Sequence, residues 1–418
     1  MIFYKKVVYS PYTHSHGMGY LVKHTQDAKM KNFRNYTVNV DRFDPQVTTY
    51  KTRPLNVTPP TTHFFNTSDD VQLRLKRYKG GTKGPVILSH CTGVSSLMFA
   101  IDTIDVNLLE YLYNEGYDVW LLDYRLSIEL PASQQLSTMD DVATKDYPAA
   151  VQTVCELAGV EKVQIVAHGV GASTLTMALL SGLENVSGAV CSQVSTHLYS
   201  VGINEFKAKL NAPTILRALG KKTMTSYTDI NANFLTRAYD ASLFFVPVPE
   251  HETCNSPVCH RISTIFGELY EHSQLNEDTH AALPRMFGRV NLSAMKQLTA
   301  ILLNNKLIDA NGDDTYLPHI DRLKLPMLFI SGGNNDCVLS KSTQETIEML
   351  ADANGAEFYK RQEIGNYGHI DCIIGKDAAR DVYPFILDLL ESSQIQAVTK
   401  KESEKVKVDV AIDVKETA

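Results

Sequence analysis

The sequence predicts an α/β fold: a mostly parallel central sheet, covered by helices on both faces and interrupted once by a helical insertion. Three observations carry this. Short apolar segments such as PVILSH (85–90) and YDVWLLDYR (117–125) alternate with longer segments of helical spacing. Continuously apolar strands belong to sheets buried between helix layers, whereas a sheet with one wet face alternates apolar with polar. VQIVAHGVGAST (163–174) then runs from a Val/Ile strand into a small-residue helix through a glycine-flanked turn. The β-α-β rhythm stops near Ser200 and resumes at LPMLFISGG (325–333), so the stretch between is an insertion.

Taken in order, HFFNTSDDVQLRLKRY (63–78) alternates across a Ser-Asp-Asp turn and predicts a β-hairpin. Ile104 to Glu115 has helical spacing, and 139–159 is an amphipathic helix. A helix follows the glycine turn through Leu180, and SGAVCSQV (187–194) is the next strand. After the insertion come a helix near 341–353, the strand FYKRQEI and a last helix at 376–391. The expected organisation is an N-terminal extension (1–55), a first core part (56–198), a helical cap (199–320), a second core part (321–392) and a charged, unfolded tail (393–418).

Composition narrows the function. A net charge of −7 leaves no basic footprint for nucleic acid. No apolar run approaches the ~18 residues of a membrane span. The opening MIFYKKVVYSPYTHSHGMGY lacks the apolar stretch of about 7–15 residues that a secretion signal needs, so the cytoplasm is the expected compartment. Seven cysteines, an odd number, make no disulfide framework and read as small buried hydrophobes.

The glycine-flanked turn is built like a nucleophile elbow, G-x-S-x-G, whose strained backbone presents a Ser hydroxyl above the sheet. Here the window reads Ala167-His168-Gly169-Val170-Gly171, and the nucleophile position holds Gly169. The later members of an acyl-transfer site fall in the expected order. Gly333-Asn334-Asn335-Asp336 follows the strand MLFIS, offering Asp336 as the acid. Asn366-Tyr367-Gly368-His369 precedes the last helix and offers His369 as the base. A carboxylate on His Nδ1 would fix the tautomer that leaves Nε2 free to accept a proton. Upstream, Ser89-His90-Cys91-Thr92-Gly93 ends a strand where an oxyanion loop belongs, with Val170, Cys91 and Thr92 as the candidate oxyanion-hole residues.

GPVILSHCTGVSS, DTIDVNLLEYLYNEGYDVWLLDYRLSIELPAS, DDVATKDYPAAV, SPVCHRISTIFGELYEHSQLN and YGHIDCIIGKDAARDVYP together resemble the α/β-hydrolase domains fused to, or encoded beside, cholesterol-oxidase-type (GMC) flavoproteins. More distantly, YDVW, Asp146-Tyr147-Pro148-Ala149 and the His loop are similar to acid lipases. The resemblance implies an α/β-hydrolase fold, an esterase- or lipase-like reaction on a lipophilic, sterol-like or acyl substrate, and a sterol-oxidase-like flavoprotein as a functional partner. No G-x-G-x-x-G follows a strand, so no flavin or other cofactor is expected in this chain itself. That family's first loop reads His-Gly and its elbow His-Cys or His-Ser. Here the residues are His90-Cys91 and His168-Gly169, as if thiol and glycine had changed places.

Three readings follow. Cys91 replaces the elbow nucleophile, as a thiolate beside His369. Alternatively, an Asp336–His369 dyad abstracts a proton without any nucleophile. In the third reading the site only binds a ligand. Ser173, four residues beyond the elbow, is a weaker rescue and is expected to bond within its helix. His251, Cys254, Cys259 and His260 cluster in sequence, but their spacing fits no familiar zinc pattern; packing is expected there, and no metal.

Overall fold

The computed structural model describes residues 50–194, 196–227, 233–243, 254 and 256–394. The tail beyond 394, most of the 1–55 extension and His251 lie outside the described residues.

Eight strands form one sheet in the order β1 (Thr61–Asn66), β2 (Gln72–Lys79), β4 (Tyr117–Asp123), β3 (Lys83–Ser89), β5 (Val163–His168), β6 (Val186–Ser192), β9 (Met327–Gly332), β10 (Tyr359–Ile364). The hairpin β1–β2 and the β2–β4 pair are antiparallel; every other pairing is parallel. Alternation along the parallel strands divides the core in two. Val86, Leu88, Val119, Leu121, Val166 and Val190 pack on one face, Ile87, Trp120, Leu122, Ile165 and Ala189 on the other. Both layers are buried, which is why these strands read as unbroken apolar runs.

The elements depart from expectation at several points; the helix expected over 139–159 opens with Met139–Asp141 and a wider π-helical stretch, Val142–Asp146, before Tyr147–Ala158. The helix expected over 104–115 is Leu108–Asn114, started by a capping box in which Asn107 and Glu110 bond each other's backbone N–H; Ile104 ahead of it is buried in the core. The last helix is broken into Asp371–Ile374, Ala378–Asp381 and a run over 383–394. Pro384 explains the final restart, since a residue without an N–H is accommodated in a first helical turn but not in a helix interior.

Between β6 and β9 lie the helices Gly202–Lys209, Ala212–Ala218, Phe234–Leu243, Pro257–Phe266, Glu277–Ala281 and Leu292–Asn304, with a two-stranded ribbon of β7 (Thr223–Thr225) and β8 (Arg289–Asn291). No helix among the described residues is long and apolar enough to cross a membrane.

Candidate active site

The site is built on neighbouring strand ends. β3 and β5 pair in parallel with Ser89 opposite Ala167, so the loops carrying Cys91 and Gly169 leave the sheet side by side. Gly169 has φ 56° and ψ −126°, outside both regular regions, and the helix Val170–Leu180 starts immediately after it. This turn needs close approach as well as unusual backbone: a Cβ on Gly171 would stand 2.3 Å from the His90 carbonyl oxygen. Tyr147 ties the two loops together, donating to the Gly171 carbonyl at 2.7 Å and meeting Ser89 Oγ at 2.8 Å.

Cys91 occupies the space the elbow leaves open. A Cβ placed on Gly169 would lie 2.6 Å from Cys91 Sγ and 3.0 Å from His369 Nε2. The Val170 amide donates to Cys91 Sγ at 3.4 Å. A donor expected to hold an oxyanion, the Val170 amide, therefore holds a thiol. Burial pushes that thiol up to about 11, with the Val170 amide acting in the opposite sense. The expected thiolate is corrected here: among the described residues no positive charge stands beside the sulfur, and burial favours the protonated thiol. His90 fixes the loop, with its Nδ1–H on the Cys91 carbonyl at 2.6 Å and its ring stacked on Tyr124 at 4.2 Å.

His369 is 5 % exposed and reaches the site, but its partner differs from expectation. The group on Nδ1 is the Asn335 amide, 3.2 Å away, and no bond joins Asp336 to His369. The loop turns Asn335 inward: its Oδ1 accepts from the Cys337 and Val338 amides, each at 3.0 Å. Its Nδ2 also donates to Gln193 Oε1 at 2.8 Å. The Asp336 backbone carbonyl accepts from Ser200 Oγ and Asn204 Nδ2, each at 3.0 Å. With both backbone donors on Asn335 Oδ1, the side facing His369 is the NH₂ group, so Nδ1 must accept and the ring proton sits on Nε2. Burial, with no carboxylate opposing it, lowers the His369 pKa to about 3.

Ser173 is fully buried in the elbow helix, and its hydroxyl finds no hydrogen-bond partner among the described residues, contrary to the expected helix-internal bond. The cysteine and histidine cluster also differs in membership. Cys254 and Cys259 meet His272 and His280, while His260 Nε2 is spent on the Cys254 carbonyl at 3.0 Å. His272 and His280 were invisible to spacing arguments because they come from a later turn and helix.

A sheet of this strand order, a strained strand-to-helix turn after β5 and a histidine loop after the last strand decide the architecture. The chain has the α/β-hydrolase fold. No family model matches the sequence. Over 337 residues it is 22% identical to mouse (Mus musculus) lipase member K, covering 75% of this chain and 81% of the relative. A probable lipase of Schizosaccharomyces pombe is 22% identical over 361 residues, covering 79% and 76%. Among solved structures, an esterase from Thermogutta terrifontis aligns at a TM-score of 0.49 with 14% identity, covering 80% of this chain and 99% of its own.

Within this hydrolase fold the buried histidines set an acid limit. His90, His168 and His369 are all depressed by burial, His369 to about 3. A histidine depressed on folding contributes stability that is present above its unfolded value near 6.5 and is lost as pH falls through that value toward the folded one. Asp371, raised by burial to about 7, acts oppositely: its contribution is present below about 4 and lost as pH rises through 7. Asp146 and Asp336, also raised by burial, act with Asp371, while His197, lowered by burial, acts with the other histidines. Four histidines outweigh three carboxyls, so Tm should fall on acidification from pH 6.5 to 4. Melts of wild type and His369→Gln check this, the variant showing the shallower acid slope; a wild-type Tm that climbs throughout acidification contradicts it.

Proposed function

We propose that this protein binds a lipophilic, acyl- or ester-bearing small molecule in a lipase-like site that does not hydrolyse it. The carrying observation is the Asn335 amide on His369 Nδ1. A general base at this position must take a proton on Nε2, and here Nε2 already bears one. The same point removes the proton-abstracting dyad, since Asp336 does not reach the ring. The glycine at the elbow, the protonated Cys91 thiol and the oxyanion donor turned onto that thiol act in the same direction.

The lipophilic character is supported by the lipase names of the two curated relatives and by the apolar side chains of the insertion. Phe206, Leu219, Phe234 and Leu235 are 58%, 72%, 71% and 76% exposed, which is costly in water unless a lipid or apolar partner meets them.

The test measures turnover and binding side by side. Purified protein is assayed on p-nitrophenyl esters of short and long acyl chains, and titrated with a fluorescent fatty-acyl probe and a fluorescent sterol. Saturable binding of at least one probe, with ester turnover no greater than that of His369→Ala, is expected. Turnover well above that variant sinks the proposal, and so does absence of binding by either probe.

A second reading is favoured by one observation, the Cys91 sulfur standing where an elbow side chain would begin. It requires an activated thiol. On the reading preferred here, iodoacetamide alkylates Cys91 at neutral pH no faster than it alkylates free cysteine, and the rate rises steeply only as pH approaches 11. Fast, selective alkylation of Cys91 at pH 7 would establish the relocated nucleophile instead.

A further inference from the structure

We infer that the insertion carries a structural zinc site formed by Cys254, Cys259, His272 and His280. One donor atom from each residue lies within 4.8 Å of all the others. Cys259 Sγ and His280 Nε2 are 3.0 Å apart, and the His272 and His280 rings stand 5.1 Å apart, tilted by 49°. Zinc bonds of about 2.0–2.3 Å in a tetrahedron place donors roughly 3.3–3.8 Å apart, so the four atoms need to shift by only about an ångström. Both cysteines are free thiols rather than a disulfide.

The donor set selects the metal class. Two thiolates and two imidazoles suit zinc, whereas magnesium and calcium call for oxygen ligands. All four positions are filled by protein, which describes a closed, structural site without room for substrate water. The Tyr270 hydroxyl donates to Cys259 Sγ at 3.0 Å, the kind of outer contact that orients a ligand and stabilises its negative charge. The ligands come from the segment at Cys254, the first turn of Pro257–Phe266, the short turn His272–Gln274 and the helix Glu277–Ala281. The turn His272–Gln274 and the helix Glu277–Ala281 are short and bury little, so they gain most from a metal crosslink.

The place in the fold says what the staple holds. The segment between Cys259 and His280 lies along the histidine loop. The Leu269 carbonyl accepts from the amides of His369 at 3.0 Å and Ile370 at 2.7 Å. Glu271 N donates to Asp371 Oδ2 at 3.3 Å, and Gln274 exchanges bonds with Lys376 N and the Asn366 carbonyl. Zinc binding thus clamps a strap of the insertion against the loop that carries His369. The metal site stands independently of whether the residues around His369 turn over esters.

Elemental analysis of the full chain, purified without a polyhistidine tag or chelator and under reducing conditions, should find about one zinc per chain. Cobalt exchanged into the site should show thiolate-to-cobalt charge transfer and the visible envelope of a tetrahedral ion. Cys259→Ser and His280→Ala should each lose the zinc and the cobalt spectrum, and chelation should lower the Tm of wild type. If these variants fail to fold, the wild-type zinc content and cobalt spectrum decide alone. Reduced wild-type protein that carries no zinc and takes up neither zinc nor cobalt overturns the site. A Cys254–Cys259 disulfide mapped in anaerobically purified protein does so as well.

Discussion

The triple variant Cys91→Gly, Gly169→Ser, Asn335→Asp should hydrolyse short-chain p-nitrophenyl esters ~10³-fold faster than the wild-type chain, the scale of a restored general base. Each change answers one geometric fact. Gly169→Ser supplies the hydroxyl at the elbow, but by itself it drives a Cβ to 2.6 Å from Cys91 Sγ. It also places a side chain at positive φ, a cost of about 1–2 kcal/mol. The single variant should therefore be less stable and no more active. Cys91→Gly clears that space and releases the Val170 amide for an oxyanion. Asn335→Asp puts an acceptor on Nδ1, which moves the ring proton there and frees Nε2 to accept. The Cys337 and Val338 amides that bond Asn335 Oδ1 serve a carboxylate equally well. Kinetics of the single, double and triple variants, each checked for folding, decide the matter. Activity already restored in Gly169→Ser alone, or none in a folded triple variant, would show that the tautomer argument is wrong.

Asp146→Ala should destabilise the fold by about 3–5 kcal/mol, the usual cost of leaving a buried charge without its partner. Arg125 is 3 % exposed and bonds Asp146 through both its side chain and its backbone amide, at 2.8 and 3.0 Å. Its far side bonds Asp69, near the hairpin turn, at 2.9 and 3.0 Å. Burial raises Asp146 to about 6 even beside the guanidinium, so the pair does not fully recover the cost of leaving water. Its presence adds little net stability; breaking it is what costs. The next residue, Tyr147, joins Ser89 to the Gly171 carbonyl, so the loss should loosen the site's two loops along with the core. Urea unfolding of Asp146→Ala, with Asp69→Ala as the milder control, measures this. A change below about 1 kcal/mol, the value of an exposed pair, would contradict the burial argument.

The acid position shows where sequence reading stops. Asn334, Asn335 and Asp336 all follow the right strand, and chemistry favours the carboxylate. Which of three consecutive loop residues faces inward depends on the turn, here closed by two backbone amides on Asn335 Oδ1 and by Ser200 and Asn204 on the Asp336 carbonyl. Ser200 and Asn204 belong to a distant part of the chain, so no local pattern reveals them. The elbow, by contrast, was fully local: a strand, a sharp glycine turn and a helix within one twelve-residue stretch.

By itself the sequence determined the mostly parallel sheet, the strand-turn-helix at Gly169 and the loop after the last strand that carries His369. These depend on periodicity and turn chemistry, which act over a few residues. Only the tertiary structure decided that Cys91 fills the vacated space, that Asn335 rather than Asp336 sets the His369 tautomer, and that Cys254 and Cys259 meet His272 and His280. Those outcomes depend on which loops pack together and which way each side chain turns. A shift of one residue in a loop reverses the direction of a side chain while leaving the sequence pattern unchanged.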